Sequence, residues 1–234
     1  MNTRRTLVNE LMAADDGGIK PFESRLRHNI LKMPKEIEKA SGIVVFGRRI
    51  KSLLFSTDLA IIKNCDADAI LAVHPFTAQR SISAPIIQSA SMPVFCGVGG
   101  GTTQGMRCVY LANDAESQGA IGVVVNAPLP NKDIRAMARV LDIPIVATVA
   151  SAKTNVGLRI KSGAAILNVA GGAQTPEIVA KIRSQFPAVP IMASGGKTPK
   201  SILATIEAGA NAIVYTPPSS SDLYRDLMAK YRDD

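Results

Sequence analysis

The chain has 234 residues, of which 47% are apolar and 20% charged, and it carries a formal net charge of +8. This is the composition of an ordinary globular protein, and no apolar run reaches the roughly 18 residues needed to span a bilayer, so no membrane partner is expected. Cys65, Cys96 and Cys108 are odd in number and form no C-x-x-C pair, which argues against a disulfide framework or a zinc site.

Residues 1–45 read as a basic helical arm. Amphipathic stretches over 6–13 and 22–39 predict helices, separated by Gly17 and Gly18. Much of the positive charge falls in the first fifty residues, on Arg4, Arg5, Lys20, Arg25, Arg27, Lys32, Lys35, Lys39, Arg48, Arg49 and Lys51. The acids Glu10, Asp15, Asp16, Glu23, Glu36 and Glu38 are mixed among them, with no aromatic interleaving. A nucleic-acid partner is therefore not expected; the arm reads as a solvated face that can also join copies of the chain into a homo-oligomer. No apolar h-region follows Arg4 and Arg5, so a cytoplasmic location is the expectation. The run 43–46 suggests a short leading strand.

The rest of the chain repeats one rhythm. Short apolar runs cover 52–57, 69–74, 93–96, 121–126, 144–148, 165–169, 190–194 and 212–216. Each is continuous rather than alternating, as expected of strands covered on both faces, and each is followed by a segment long enough to hold a crossover helix. Thr175-Pro176 and Thr198-Pro199 place a capping hydroxyl before a helix-starting proline, and Gly119, Gly163 and Gly209 fall where helices should end. Eight β-then-α units predict an α/β protein, a single (β/α)₈ TIM barrel over residues 46–234 with the arm as an N-terminal helical extension. An open doubly wound sheet would want a G-x-G-x-x-G turn after its first strand, and none is present.

In such a barrel the chemistry sits at the C-terminal ends of the strands. Three groups of residues qualify. After the seventh run, Ser194, Gly195, Gly196 and Lys197 lead into a helix, and after the eighth come Thr216 and Ser219; bare glycine backbone and free N–H groups at helix starts suit a phosphate. Pro217 and Pro218, however, remove donors from the latter loop. After the third run, Cys96 opens the stretch Gly97-Val98-Gly99-Gly100-Gly101, where Gly99 and Gly100 suggest close backbone approach to a ligand. Cys96 itself is a candidate nucleophile or acid/base group. Asp58 and His74 follow the first and second runs and could share proton transfer, with Lys63 and Lys153 as further options. Asn64, Asn126 and Asn168 would line the rim as partners for hydroxyls or an enolate oxygen. No cluster of Asp, Glu and His marks a metal site, and Asn168 stands where a Schiff-base lysine would be wanted.

The stretch 189–196, with Ile206-Glu207-Ala208-Gly209-Ala210-Asn211-Ala212-Ile213-Val214, resembles the last two strands of phosphate-binding TIM barrels, among them ribulose-phosphate-type isomerases, hexose-phosphate epimerases and flavin and nucleotide barrels. Over its whole length the chain is similar to an uncharacterised family of bacterial barrels loosely labelled hydrolases, through Phe76, Cys96-Gly97-Val98-Gly99-Gly100-Gly101 and 123–128. The label implies little about mechanism; the rim residues themselves lead to the expectation of an enzyme on a small phosphorylated metabolite, with Asp58 and His74 moving protons as in an isomerase, epimerase or lyase, and without a cofactor. Hydrolysis, an FMN-binding barrel and a non-catalytic metabolite-binding protein are its alternatives.

Overall fold

Runs rich in Val, Ile and Leu that are apolar on both sides can be satisfied only between two layers, and the chain meets that need by closing its strands on themselves. The structure is a computed structural model that describes residues 31–233. Its eight barrel strands are β1 (Ser52–Phe55), β2 (Ala69–Ala72), β3 (Val94–Gly99), β4 (Gly122–Val125), β5 (Ile145–Val149), β6 (Ala164–Val169), β7 (Ile191–Ser194) and β8 (Ala212–Tyr215). Neighbours in sequence pair in parallel, and β8 pairs with β1 to close the barrel. The helices α1 (Leu59–Lys63), α2 (Arg80–Ser89), α3 (Met106–Ser117), α4 (Asn131–Met137), α5 (Val156–Lys161), α6 (Thr175–Gln185), α7 (Pro199–Glu207) and α8 (Ser220–Asp233) each follow the strand of the same number.

Alternate residues of each strand divide between two cores. Leu53, Leu71, Phe95, Val124, Val146, Ile166, Met192 and Val214, one from each strand, meet in the barrel interior. Their sequence neighbours, such as Leu54, Ile70, Val125, Leu167 and Ile213, face the helices. Gly122 makes room for the interior aromatic: a Cβ there would stand 2.6 Å from the Phe95 ring.

The base of the barrel is closed by a β-hairpin, Ile43–Val45 paired antiparallel with Arg48–Ile50. Ile43, Val45 and Ile50 join the interior cluster. The Gly42 N–H donates to the Asn211 carbonyl at 2.8 Å, just before β8 begins. The leading strand is thus present, but the helix expected over 22–39 is corrected where it is described. Leu31 bridges to Cys65, and only a 3₁₀ turn, Lys35–Lys39, follows Pro34; a proline disfavours helix in the residue before it. The expected helix over 6–13, most of the basic arm and its role in oligomerisation lie outside the described residues.

Helix punctuation follows local chemistry. Thr198 and Ser201 form a capping box at α7, with Pro199 as the first helical residue. Gly119, Gly163 and Gly209 all have positive φ after their helices. At α6 the cap differs from expectation: Thr175 is already helical, and its hydroxyl accepts from the Gly171 N–H at 3.1 Å. Among the described residues no helix is long and apolar enough to cross a membrane.

Candidate functional site at the barrel mouth

Strand parity decides which rim residues can meet a ligand. Ile166 belongs to the interior core while Leu167 and Val169 face the helices, so Asn168 points inward above Ile166. The same counting on every strand gives an uppermost inward ring of Phe55, Val73, Gly97, Asn126, Thr148, Asn168, Ser194 and Thr216. None of these eight is ionisable. Among the described residues no group of three or more His, Cys, Asp and Glu side chains stands together as a metal site.

The sequence candidates separate on this frame. Asn126, Asn168, Ser194 and Thr216 belong to the ring. Asn168 is only 7% exposed, and its Nδ2 donates to the Thr148 hydroxyl at 3.3 Å, while its Oδ1 is buried with no partner among the described residues. His74 lies just beyond β2 in a cleft lined by Val73, Phe76, Gly97, Gly99, Gly100, Thr103 and Asn126. Its Nδ1 is likewise buried and has no hydrogen-bond partner among the described residues. Phe76 stands at the lip, 75% exposed, with its ring 6.1 Å from the imidazole.

Cys96 does not reach this cleft. Phe95 takes the interior position, so Cys96 faces the helical layer at 2% exposure. Burial pushes its thiol up to about 11. A thiol kept protonated behind the strand is a packing group, which corrects its candidacy as a nucleophile.

Asp58 is corrected in the same way. It caps α1, accepting from the Ala60 N–H at 2.8 Å and the Ile61 N–H at 3.2 Å. Its other oxygen accepts from the Ser220 hydroxyl at 2.7 Å, which ties α1 to the start of α8. That Ser220 bond, outweighing desolvation, holds the carboxyl below the usual aspartate range. It is a structural anion rather than a proton acceptor. Lys63 and Asn64 point away from the mouth: Lys63 bonds Ser91, before β3, and Asn64 bonds the Ala60 carbonyl.

The glycines also acquire reasons of their own. A Cβ on Gly99 would lie 2.4 Å from the Cys108 sulfur, and one on Gly100, at φ 117°, would lie 2.4 Å from the Asn126 Cβ. The glycine-rich loop therefore has packing value of its own, apart from any approach to a ligand. The loop is organised: the Gly100 N–H donates to the Thr103 carbonyl at 2.9 Å. After β7, Gly195 packs against Ile213 and Ile202, and Gly196, at φ 74°, against Ser201. The capping box of α7 uses the N–H groups of Thr198 and Ser201. After β8, the Ser219 hydroxyl donates to Asp222 and that of Ser220 to Asp58. The protein's own carboxylates thus occupy the α8 half of the expected phosphate cradle. Gly196 and Lys197 remain exposed on the β7 half.

Two arginines escaped the sequence reading. Arg159 of α5 is 9% exposed and donates to the Ala127 and Leu129 carbonyls, fixing the loop that begins at Asn126. Arg183 of α6 bonds the Pro187, Val189 and Gly209 carbonyls and Asn211. Desolvation lowers both guanidinium pKa values. Their one sequence signal is a basic residue late in an amphipathic helix, which surface arginines share.

At the base a second cleft is lined by Met33, Ile37, Lys51, Asp66 and Asp68 among others. Asp66 accepts from the Met33 N–H, and Asp68 from those of Lys51 and Ser52. These carboxylates staple the hairpin segment to the barrel, at the end where this fold carries stability.

The architecture defines a (β/α)₈ TIM barrel. It is similar to a phosphoenolpyruvate phosphomutase from Streptomyces platensis subsp. rosaceus, with a TM-score of 0.59 and 11% identity over 84% of this chain and 83% of that one. It is also similar to a phosphonopyruvate hydrolase in complex with oxalate and Mg²⁺, with a TM-score of 0.57 and 13% identity over 79% of this chain and 80% of that one. A dihydrodipicolinate synthase from Agrobacterium tumefaciens str. C58 aligns with a TM-score of 0.54 and 15% identity, over 77% of this chain and 71% of that one. At these identities the likeness establishes the fold. No protein-family model matches the sequence, and no curated protein matches it.

Proposed function

We propose that this chain is an enzyme acting on a small phosphorylated metabolite at the barrel mouth, with His74 moving a proton in an isomerase, epimerase or lyase reaction. The observation that carries the reading is the buried, unpartnered His74 Nδ1 in a cleft shared with Asn126 and the Gly97–Gly100 backbone. A buried polar atom without a partner is costly unless a ligand completes it. An imidazole can both take and give a proton near neutral pH, and the Asn126 amide on the same cleft can steady a developing oxyanion. The similar barrels include a phosphomutase, a hydrolase and a synthase, which supports an enzymatic reading.

The phosphate belongs on the β7 side, against the N–H groups of Gly196 and Lys197 and the Lys197 ammonium. Ser194 and Thr216 would face the same substrate from the ring. The α8 side, with Pro217, Pro218 and serines already donating to Asp58 and Asp222, offers little to FMN. One similar barrel carries Mg²⁺. The residues here do not fit that ion, because the inward ring holds no carboxylate and Asp58 is consumed by capping.

The test is a thermal-shift screen of phosphorylated metabolites, followed by turnover of the best stabiliser in D₂O with NMR detection of solvent deuterium incorporation. H74N should abolish incorporation yet keep the thermal shift; K197Q should weaken the shift. If no phosphorylated compound stabilises the protein, or if H74N retains turnover, the reading is overturned. A non-catalytic binding protein would show the shift and no turnover.

A further inference from the structure

We infer that Thr148 and Asn168 form a subsite for a hydroxyl group of the ligand, on the wall of the mouth opposite His74. The inference rests on the mouth being the binding site, and it specifies what the substrate must carry there.

The geometry is that of a half-finished hydrogen-bond pair. Asn168 is 7% exposed and faces inward from β6. Its Nδ2 donates to the Thr148 Oγ1 at 3.3 Å. The Thr148 oxygen is then used as an acceptor, and its own proton is free to point elsewhere. Asn168 Oδ1 is buried with no donor within reach among the described residues. The pair therefore presents one donor, the Thr148 O–H, beside one acceptor, Asn168 Oδ1. A ligand hydroxyl matches both at once, because its oxygen accepts from Thr148 while its proton goes to Asn168. A carboxylate matches only the first and sets a lone pair against Oδ1.

Charge separates a hydroxyl from the other donor of similar size, an ammonium group. The inward ring contains no anion to neutralise an ammonium, and the chain as a whole carries +8. In the closed strand order β2 and β6 lie four strands apart, on opposite walls. A substrate held by Thr148 and Asn168 while it meets His74 must span the mouth. The ligand class is thus a hydroxylated compound, such as a polyol or hydroxy acid derivative, whose hydroxyl is distinct from the reacting carbon at His74.

The test measures binding by calorimetry, with glycerol 3-phosphate, phosphoglycolate and erythritol as probes, on the parent chain and on N168A and T148V. Hydroxylated probes should bind, and each variant should weaken them about tenfold, the scale of one lost hydrogen bond. Phosphoglycolate should be insensitive to N168A. T148V keeps the shape of the side chain and tests the pair from its other member, with melting temperatures reporting the fold of every variant. In the ligand-free protein N168L should leave the melting temperature unchanged or raised, because it removes an unsatisfied buried acceptor. Equal, Asn168-independent binding of glycerol 3-phosphate and phosphoglycolate would overturn the subsite while leaving the phosphate reading intact. Asn168-dependent binding of erythritol with no response to either phosphate would do the reverse. Failure of both hydroxylated probes, or a marked loss of melting temperature in N168L, overturns the subsite outright.

Discussion

Asp58 accepts from two backbone N–H groups and from Ser220, so its removal should be felt in stability before activity. D58A should lose about 1 kcal/mol at neutral pH, the scale of a lost helix cap, as read by urea denaturation. Its folded pKa is depressed, so the stabilisation is present above the usual aspartate range and fades as pH falls through the lowered value. The gap between D58A and the parent should therefore narrow only in acid. Cys96, with its thiol pushed up to about 11 and turned to the helices, should resist iodoacetamide at pH 8 until the protein is unfolded. C96S should keep turnover. Labelling in the folded state would mean that Cys96 reaches the cleft. Both residues sit at strand ends in the sequence, which is all that nominated them. Parity then turned one outward, and a helix start took up the other.

At the level of elements, the loops after β3 and β4 are built as one unit. Gly100 stands against Asn126, and Arg159 reaches from α5 to hold the Ala127 and Leu129 carbonyls. G100A combines a positive φ with a Cβ overlap on Asn126, so it should destabilise by more than about 1 kcal/mol. It should also impair turnover, by displacing a ring residue. R159M should cost about 2 kcal/mol, because the buried Leu129 carbonyl and the part-buried Ala127 carbonyl lose a charged donor. Substrate binding should weaken with it, since the loop that starts at Asn126 loses its anchor. Melting curves and substrate titrations on the two variants check both statements. Helix starts and stops were legible here: Thr198 with Pro199, and the glycines 119, 163 and 209, act through local geometry alone. The loop glycines were not, because their neighbours Cys108 and Asn126 come from other elements.

Over the whole molecule, the eight apolar runs in the sequence are the eight strands of the barrel, and the closing hairpin was visible in part as the run at 43–46. The strands were legible because a run buried on both faces has a composition found in few other places. That same composition hides which residues face in. Val94-Phe95-Cys96 carries no polar alternation to mark its interior side, so Cys96 and Asn168 looked alike as strand-end residues until the register was known. The clefts at the two ends of the barrel differ accordingly. The base is stapled by Asp66 and Asp68, and the mouth keeps His74 Nδ1 and Asn168 Oδ1 unpaired. The most direct test of this division is a ¹H–¹⁵N NMR titration with glycerol 3-phosphate. Shifts clustered on His74, Gly97–Gly100, Asn126, Asn168 and Lys197 are predicted. Shifts centred on Met33, Ile37, Lys51 and Asp68 at the base would contradict the account.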